Sequence, residues 1–545
     1  MSSSSPAPAS LRAVLELQAR RHAHRPLIAL PDGELTYAEA DGLADRMAQL
    51  LLGLGVQPGD LVAALAPNTV ALLATWFGCA KLGAVWMPVN ALLVGAPLRE
   101  VLAHAGTEVA VCDVRLLAEL DAVRAGLPRL RHVLVAGPAA RVPAWALSLE
   151  RLLEDASTAS PPPLDESDPG AAAKLMYTSG TTGEPKGVVW SRNCEAVWAR
   201  NYGDELFLTA PGETAYTCLP LFHVTCQGTV LASLWRGGRV VVDASFDPLR
   251  FWRRIRESDA VLFTFVGSIL AVLARRPERP GDNDNPVRRI LGAAAPAERW
   301  RDVERRFGVE ILETYGQTET ASCWMFPRDL PSEPGRVGTP SVRWEARLLT
   351  AEGEPAAVGE PGELWMRPLA PHVIFSGYLD ETGTVCSAQD EEGWYRTGDL
   401  LVRHPEGDYS FSGRLREAIR RRGEMIPAAT VELAALGHSA VVEAAAVGVP
   451  APHGVEEEIK LCVVARTGRT LDPAELHAHL RGRLPAFMTP RYIAVLHALP
   501  KTPTTRVRKV ALSAAGTAGA WDARAGRGGS EETANSARAS PDRPL

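Results

Sequence analysis

The order of apolar and polar positions changes character twice along the chain, and those changes divide it into parts. From Leu11 to about Arg20 the apolar spacing is helical, and a strand-like run from Leu27 to Leu30 and a turn at Pro31, Asp32 and Gly33 follow. Thr36, with Glu39 three residues later, forms a capping-box signal. Leu43, Met47, Leu50, Leu51 and Leu54 then share one helical face, which Gly55 closes. A strand over Leu61 to Leu65 precedes a helix from about Val70 to Leu82. Helices set between apolar strands are the pattern of a parallel sheet covered on both faces, so this opening part is read as scaffold.

Pro161, Pro162 and Pro163 mark a loop, after which the alternation resumes. Strands are predicted over Ala171 to Tyr177, Arg239 to Val242, Val261 to Phe265, Ile290 to Ala293 and Val309 to Leu312. A helix is predicted from a cap at Asp247, with Pro248 in its first turn, to about Glu257. Beyond about Pro340 the alternation fades into short strands bounded by Gly and Pro, such as Glu363 to Met366. Near Gly413 the pattern changes again, to a segment with its own strands, Ala444 to Val447 and Leu461 to Ala465, and its own helix, Pro473 to Leu480. The expected fold class is α/β. A large N-terminal domain (1–412) combines parallel-sheet βα subdomains with a β-rich subdomain, and a small, mobile α+β C-terminal domain (413–512) follows. Residues 513–545, rich in Gly, Ala, Ser, Arg and Pro, are predicted to be a disordered tail. No internal repeat is present.

Composition narrows the class of partner. A chain of 545 residues is too long for one core, and 46% hydrophobic with 22% charged residues is ordinary for a soluble globular protein. The net charge of −6 argues against nucleic acid as the main partner, the run Arg420, Arg421, Arg422 being only local. Eight scattered cysteines, none at metal-ligand spacing, fit reduced thiols in a cytoplasmic protein without zinc or disulfides. The start, MSSSSPAPAS, lacks the features of a secretion signal, and no apolar run is long enough to span a bilayer. A monomer or homodimer is expected.

Candidate chemistry centres on Tyr177 to Gly187, YTSGTTGEPKG. Gly180, Gly183 and Gly187 let successive N–H groups converge on an anion, Ser179, Thr181 and Thr182 add hydroxyl donors, and Lys186 adds a charge. The spacing is wrong for the common ATPase loop. Residues 313–320, ETYGQTET, offer a flat face at Tyr315, a hydroxyl at Thr318 and a hard oxygen ligand for Mg²⁺ at Glu319. YRTGDL, 395–400, sets Asp399 at a turn where its carboxylate can accept two ribose hydroxyls. Residues 413–432 supply Arg414 as a second ribose or phosphate ligand, and PKTPTTRVRK, 500–509, ends the folded part.

In order and spacing these five strings resemble the signatures of the adenylate-forming superfamily: acyl-CoA synthetases, luciferases and peptide-synthetase adenylation domains. The resemblance runs from about Leu11 to Leu512 and is greatest to the acyl-CoA ligases. It implies that Thr178 and the loop from Ser179 to Gly187 hold ATP phosphates, with Thr181 and Glu319 at the metal. Tyr315 and Gly316, with Ala294, Ala295 and Pro296, frame the adenine, and Asp399 and Arg414 hold the ribose. His223, in LPLFHV, gates the acyl site, which Val266 and Gly267 line with Gly316 and Gln317. The implied reaction joins a carboxylic acid to AMP with loss of pyrophosphate, then transfers the acyl group to coenzyme A, the C-terminal domain turning about Arg416 between the steps.

Two departures from the family pattern stand out. Thr505 and Arg506 replace its glycine and catalytic lysine, and arginine keeps the charge in a different shape, with Lys501 or Lys509 as neighbouring substitutes. On the coenzyme A side, Met425 replaces an asparagine and Thr430 an acidic residue. These substitutions leave alternatives open: a CoA-independent adenylating enzyme, either activating nitrite or loading a carrier protein, and a catalytically impaired nucleotide- or acyl-binding protein.

Overall fold

The computed structural model describes residues 9–165, 167–178, 186–321, 324–328, 331–421, 424–451, 457–501 and 507–525. They fall into two compact units. The first holds the chain up to Ala346 with Trp365–Arg396 and His404–Ser410; the second holds Arg347–Leu364, Thr397–Arg403 and the chain from Phe411.

Two large sheets build the first unit. One has nine strands in the order Val385–Cys386, Gly377–Leu379, Lys186–Ser191, Ala172–Thr178, Val85–Pro88, Leu61–Leu65, Val109–Asp113, His132–Ala136 and Leu147–Ser148. From Ala172–Thr178 to Leu147–Ser148 neighbouring strands run parallel, and on the other side they turn antiparallel. The second has seven, ordered Glu310–Glu313, Arg289–Ala293, Ala260–Val266, Thr214–Thr217, Arg239–Val242, Pro26–Leu30 and Gly33–Thr36, all parallel except the last pair. Strands Leu61–Leu65 and Arg239–Val242 and helix Val70–Leu82 have the bounds that the hydrophobic pattern predicts. The capping box closes in both directions: Thr36 N donates to Glu39 Oε2 (2.8 Å) and Glu39 N to Thr36 Oγ1 (3.2 Å), starting helix Tyr37–Gly53. The helix predicted from Asp247 becomes regular only over Phe251–Ser258. Asp247 instead caps a preceding turn, its carboxylate accepting from Leu249 N at 2.9 Å.

The β-rich character predicted beyond Pro340 appears as a four-stranded sheet in the order Trp344–Leu349, Pro361–Pro368, Tyr395–Arg403, Tyr409–Arg414. In the second unit, strands Val441–Pro450, Glu457–Ala465, Tyr492–Leu496 and Trp521–Asp522 form a sheet. Helices Ala428–Leu436 and Pro473–Arg481 share with it a core that includes Val431, Ile459, Leu461, Leu476, Leu480 and Ile493.

Order extends past the predicted end at Leu512, a correction to the expected tail. Helix Lys509–Ala514 is followed by the edge strand Trp521–Asp522, paired with Tyr492 and Ile493. Buried Lys460 donates to Leu512 O (3.2 Å) and Gly516 O (2.5 Å), Arg491 pairs with Asp522 at 3.0 Å, and Arg524 pairs with Glu458 at 3.0 Å. These anchors are single polar residues, invisible to an average over the tail's composition. Among the described residues no helix is long and apolar enough to cross a membrane.

Candidate active site

The Gly/Thr-rich loop is the connection of a hairpin. Strands Ala172–Thr178 and Lys186–Ser191 pair antiparallel, with Thr178 opposite Lys186. The expected phosphate-holding residues Ser179, Gly180, Thr181, Thr182 and Gly183 lie outside the described residues, and Thr178 and Lys186 mark the two ends of the segment. The Lys186 ammonium sits 5.0 Å from the centre of the Tyr378 ring, whose strand pairs next to it. The Tyr378 hydroxyl donates to Glu319 Oε1 (3.0 Å) and lies 3.4 Å from the Tyr395 hydroxyl, which donates to Gln317 Oε1 (3.3 Å). Burial, then the negative charge of Glu319, pushes the Tyr395 phenol far above its ordinary pKa, so it stays a donor. The backbone beneath is pinned as well: Trp190 Nε1 donates to Thr318 O (2.9 Å) and Phe375 N to Glu319 O (3.0 Å). A cation and a hard carboxylate therefore meet across one tyrosine.

A second group of residues leaves the carboxyl ends of four neighbouring strands of the seven-stranded sheet: His223 beyond Thr214–Thr217, Val266 and Gly267 at Ala260–Val266, Ala294 to Pro296 at Arg289–Ala293, and Tyr315 to Gln317 at Glu310–Glu313. Such an edge is where open α/β sheets bind ligands. Ala294 has a positive φ of 61°, and a Cβ added to Gly267 would fall 1.8 Å from the Ala294 carbonyl oxygen, so glycine is required there. Tyr315 is buried and exchanges backbone hydrogen bonds with Met325 (3.1 and 3.0 Å); Gly316 is exposed. His223 is exposed at the start of helix Val224–Arg236, its ring 4.6 Å from that of Phe222. Its segment is clamped from below, for Leu221 N donates to Asn68 Oδ1 (2.7 Å), and Gln227 Nε2 donates to Leu221 O (3.0 Å).

Glu313 was not singled out by the sequence. Burial raises its carboxyl pKa to about 7, although the N–H groups of Ala294 and Ala295 donate to it and pull the other way. Tyr378 is equally inconspicuous. Its one local signal is the preceding Gly377, where a Cβ would meet Cys386 O at 2.1 Å.

In the second unit Asp399 is buried and stands 3.4 Å from Arg414 Nε, with its N–H donating to Thr397 Oγ1 (3.2 Å). Arg416 occupies the short turn Leu415–Glu417 that follows. Arg506 lies outside the described residues. Lys509 pairs with Glu432 at 2.8 Å and also with Glu417, and Lys501 pairs with Glu443 at 2.7 Å. Both neighbouring ammonium groups are thus engaged by carboxylates. Among the described residues no three His, Cys, Asp or Glu side chains cluster as a metal site.

Parallel sheets whose strand ends gather these residues, with a second unit that has its own sheet, define an α/β protein of two units. The chain belongs to the AMP-binding enzyme family, whose profile matches residues 15–379, with the AMP-binding enzyme C-terminal domain matching residues 430–506. It is 32% identical to the sulfoacetate–CoA ligase of Cupriavidus necator, over 92% of this chain and 97% of that one. It is 32% identical to the indoleacetate–CoA ligase of Aromatoleum aromaticum, over 88% and 93%. Among solved structures, the anthranilate CoA ligase AuaEII in complex with anthranoyl-AMP superposes with a TM-score of 0.83 at 23% identity, covering 94% of this chain and 99% of that one. ATP-bound MatB from Rhodopseudomonas palustris gives 0.82 at 25% identity, covering 93% and 98%.

Proposed function

We propose that this protein is an AMP-forming acid–CoA ligase whose two half-reactions use the residues above. A carboxylate oxygen attacks the α-phosphorus of ATP and the bond to pyrophosphate breaks. The thiol of coenzyme A then attacks the acyl carbon and expels AMP. The first step needs alignment and neutralisation of charge more than covalent help from the protein. Lys186, with Thr178 and the loop 179–185, takes the β- and γ-phosphates, and Ala294, Ala295, Pro296, Tyr315 and Gly316 frame the adenine. Asp399 and Arg414 take the ribose. The acid lies among His223, Val266, Gly267 and Gln317, and Arg506 supplies the positive charge for the first step. Arg416 is the proposed hinge. The free thiols of the seven described cysteines support a reducing compartment such as the cytoplasm.

The donor set suits Mg²⁺ held largely by phosphate oxygens and water, for Glu319 offers one oriented carboxylate, and Thr181 and Thr318 could add hydroxyls. A bound Mg²⁺ would supply neutralisation of charge on the phosphate oxygens.

The observation that carries this reading is the Lys186–Tyr378–Glu319 cluster at the base of the hairpin loop, in a chain of this family. Exchange of labelled pyrophosphate into ATP, measured with a panel of short, medium-chain and aromatic acids, tests it. Exchange that depends on one class of acid is expected. Exchange with nitrite alone, or with no acid, would overturn it.

A further inference from the structure

Within the first unit lies a charge that neither half-reaction uses. Lys174, on strand Ala172–Thr178, is fully buried. Its ammonium lies 2.6 Å from Glu195 Oε1 and is ringed by indoles, with Trp76 and Trp190 at 4.7 Å, Trp86 at 5.5 Å and Trp198 at 5.6 Å. Trp76 Nε1 also donates to Glu195 Oε1 (3.0 Å). A buried ion pair is close to break-even against apolar residues of the same volume, so stability alone is a weak reason to keep this one.

Two of its contacts lead elsewhere. Lys174 Nζ donates to Gln227 Oε1 (2.9 Å), and Gln227 Nε2 donates to Leu221 O (3.0 Å) in the segment that carries His223. An ammonium can only donate, so it fixes which end of the Gln227 amide faces inward and aims the NH₂ at Leu221. On the other side, the face of Trp190 covers the same ammonium while its edge donates to Thr318 O (2.9 Å).

We propose that Lys174 is a positioning residue: its charge, shared with Glu195 inside the four indoles, sets the acid-side segment Leu219–His223 and the nucleotide-side segment Thr318–Glu319 in one mutual geometry. The assignment of those two sides rests on the function proposed above; the coupling between the segments does not.

The test is the pair variant Lys174→Met with Glu195→Gln, which leaves no unpaired buried charge, beside Gln227→Met and Trp190→Phe alone. Amide hydrogen–deuterium exchange is read in 219–224 and 315–320, and KM and kcat by pyrophosphate exchange. The pair variant is expected to melt within about 3 °C of the wild type. It should exchange faster in both segments, raise KM for acid and for ATP, and lower kcat by ~10-fold or more, the cost of a slight misalignment. Gln227→Met should raise KM for the acid alone and Trp190→Phe that for ATP alone. Unchanged protection in both segments of the pair variant, or a lowered melting point with kcat and both KM values retained, would overturn the proposal. Should the pair variant fail to fold, the single variants decide: selective changes support the coupling, and equal changes or none refute it. A wild type that shows no acid-dependent exchange removes the functional reading, while the amide exchange still decides the coupling.

Discussion

At the level of single residues, Glu313 carries the clearest pH signature. Its folded pKa, about 7, lies above the usual carboxyl value of 4.5 because burial outweighs the two backbone donors. The folded state therefore binds this proton more tightly than the unfolded state does. The resulting stability is complete below the unfolded carboxyl pKa and is lost as pH rises to about 7, by up to about 3 kcal/mol. Glu313→Gln removes this term. Chemical denaturation at pH 5 and pH 8 should show the variant gaining on the wild type as pH rises, and a constant difference would exclude the assigned shift. Tyr378 admits a finer cut. Tyr378→Phe keeps the ring beneath Lys186 and deletes the hydroxyl that donates to Glu319 and lies 3.4 Å from the Tyr395 hydroxyl. A rise of roughly tenfold in KM for MgATP, the cost of about one charge-assisted hydrogen bond, is expected, with little change in KM for the acid.

At the level of elements, legibility followed how local the determinants were. Helix Val70–Leu82 and strand Leu61–Leu65 could be read to the residue because their apolar runs are bounded by breaking or capping residues nearby. The Gly/Thr-rich string stands out as candidate chemistry because its glycines, hydroxyls and lysine are adjacent in sequence, and residues 179–185 lie outside the described residues. Tyr378, Lys174 and Glu313 do not stand out, because each is one polar residue in an apolar strand or beside one. Their partners come from distant sequence: Glu319 is 59 residues from Tyr378, and Gln227 is 53 from Lys174. The edge strand Trp521–Asp522 escaped for the same reason. One of its holds on the second unit is the Arg491–Asp522 pair, of which Asp522 is only partly exposed and Arg491 mostly buried. Asp522→Ala should lower the stability of the second unit by about 1–2 kcal/mol, read as a lower denaturation midpoint by a probe in that unit. An unchanged midpoint would mean that the backbone pairing, the Arg524–Glu458 pair and the packing of Trp521 hold the strand without it.

At the level of the whole molecule, the first unit brings Lys186 and Glu319 together through Tyr378 and gathers His223, Val266, Ala294 and Tyr315 along one sheet edge, while Asp399 and Arg414 form a pair in the second. That division suits a reaction in two steps, in which an acid is first joined to AMP and only then meets a thiol. In the reaction proposed above, the arginine at position 506 is the cation that acts in the first step. Arg506→Lys should raise pyrophosphate exchange several-fold, by roughly 1 kcal/mol in the barrier, and no change on Arg506→Ala would remove the residue from that step. The decisive measurement follows an oxygen atom. With a substrate acid labelled with ¹⁸O in its carboxyl group, and with ATP and coenzyme A present, an acyl-adenylate route delivers one label to the AMP released and none to pyrophosphate. Thioester formed with unlabelled AMP would contradict it.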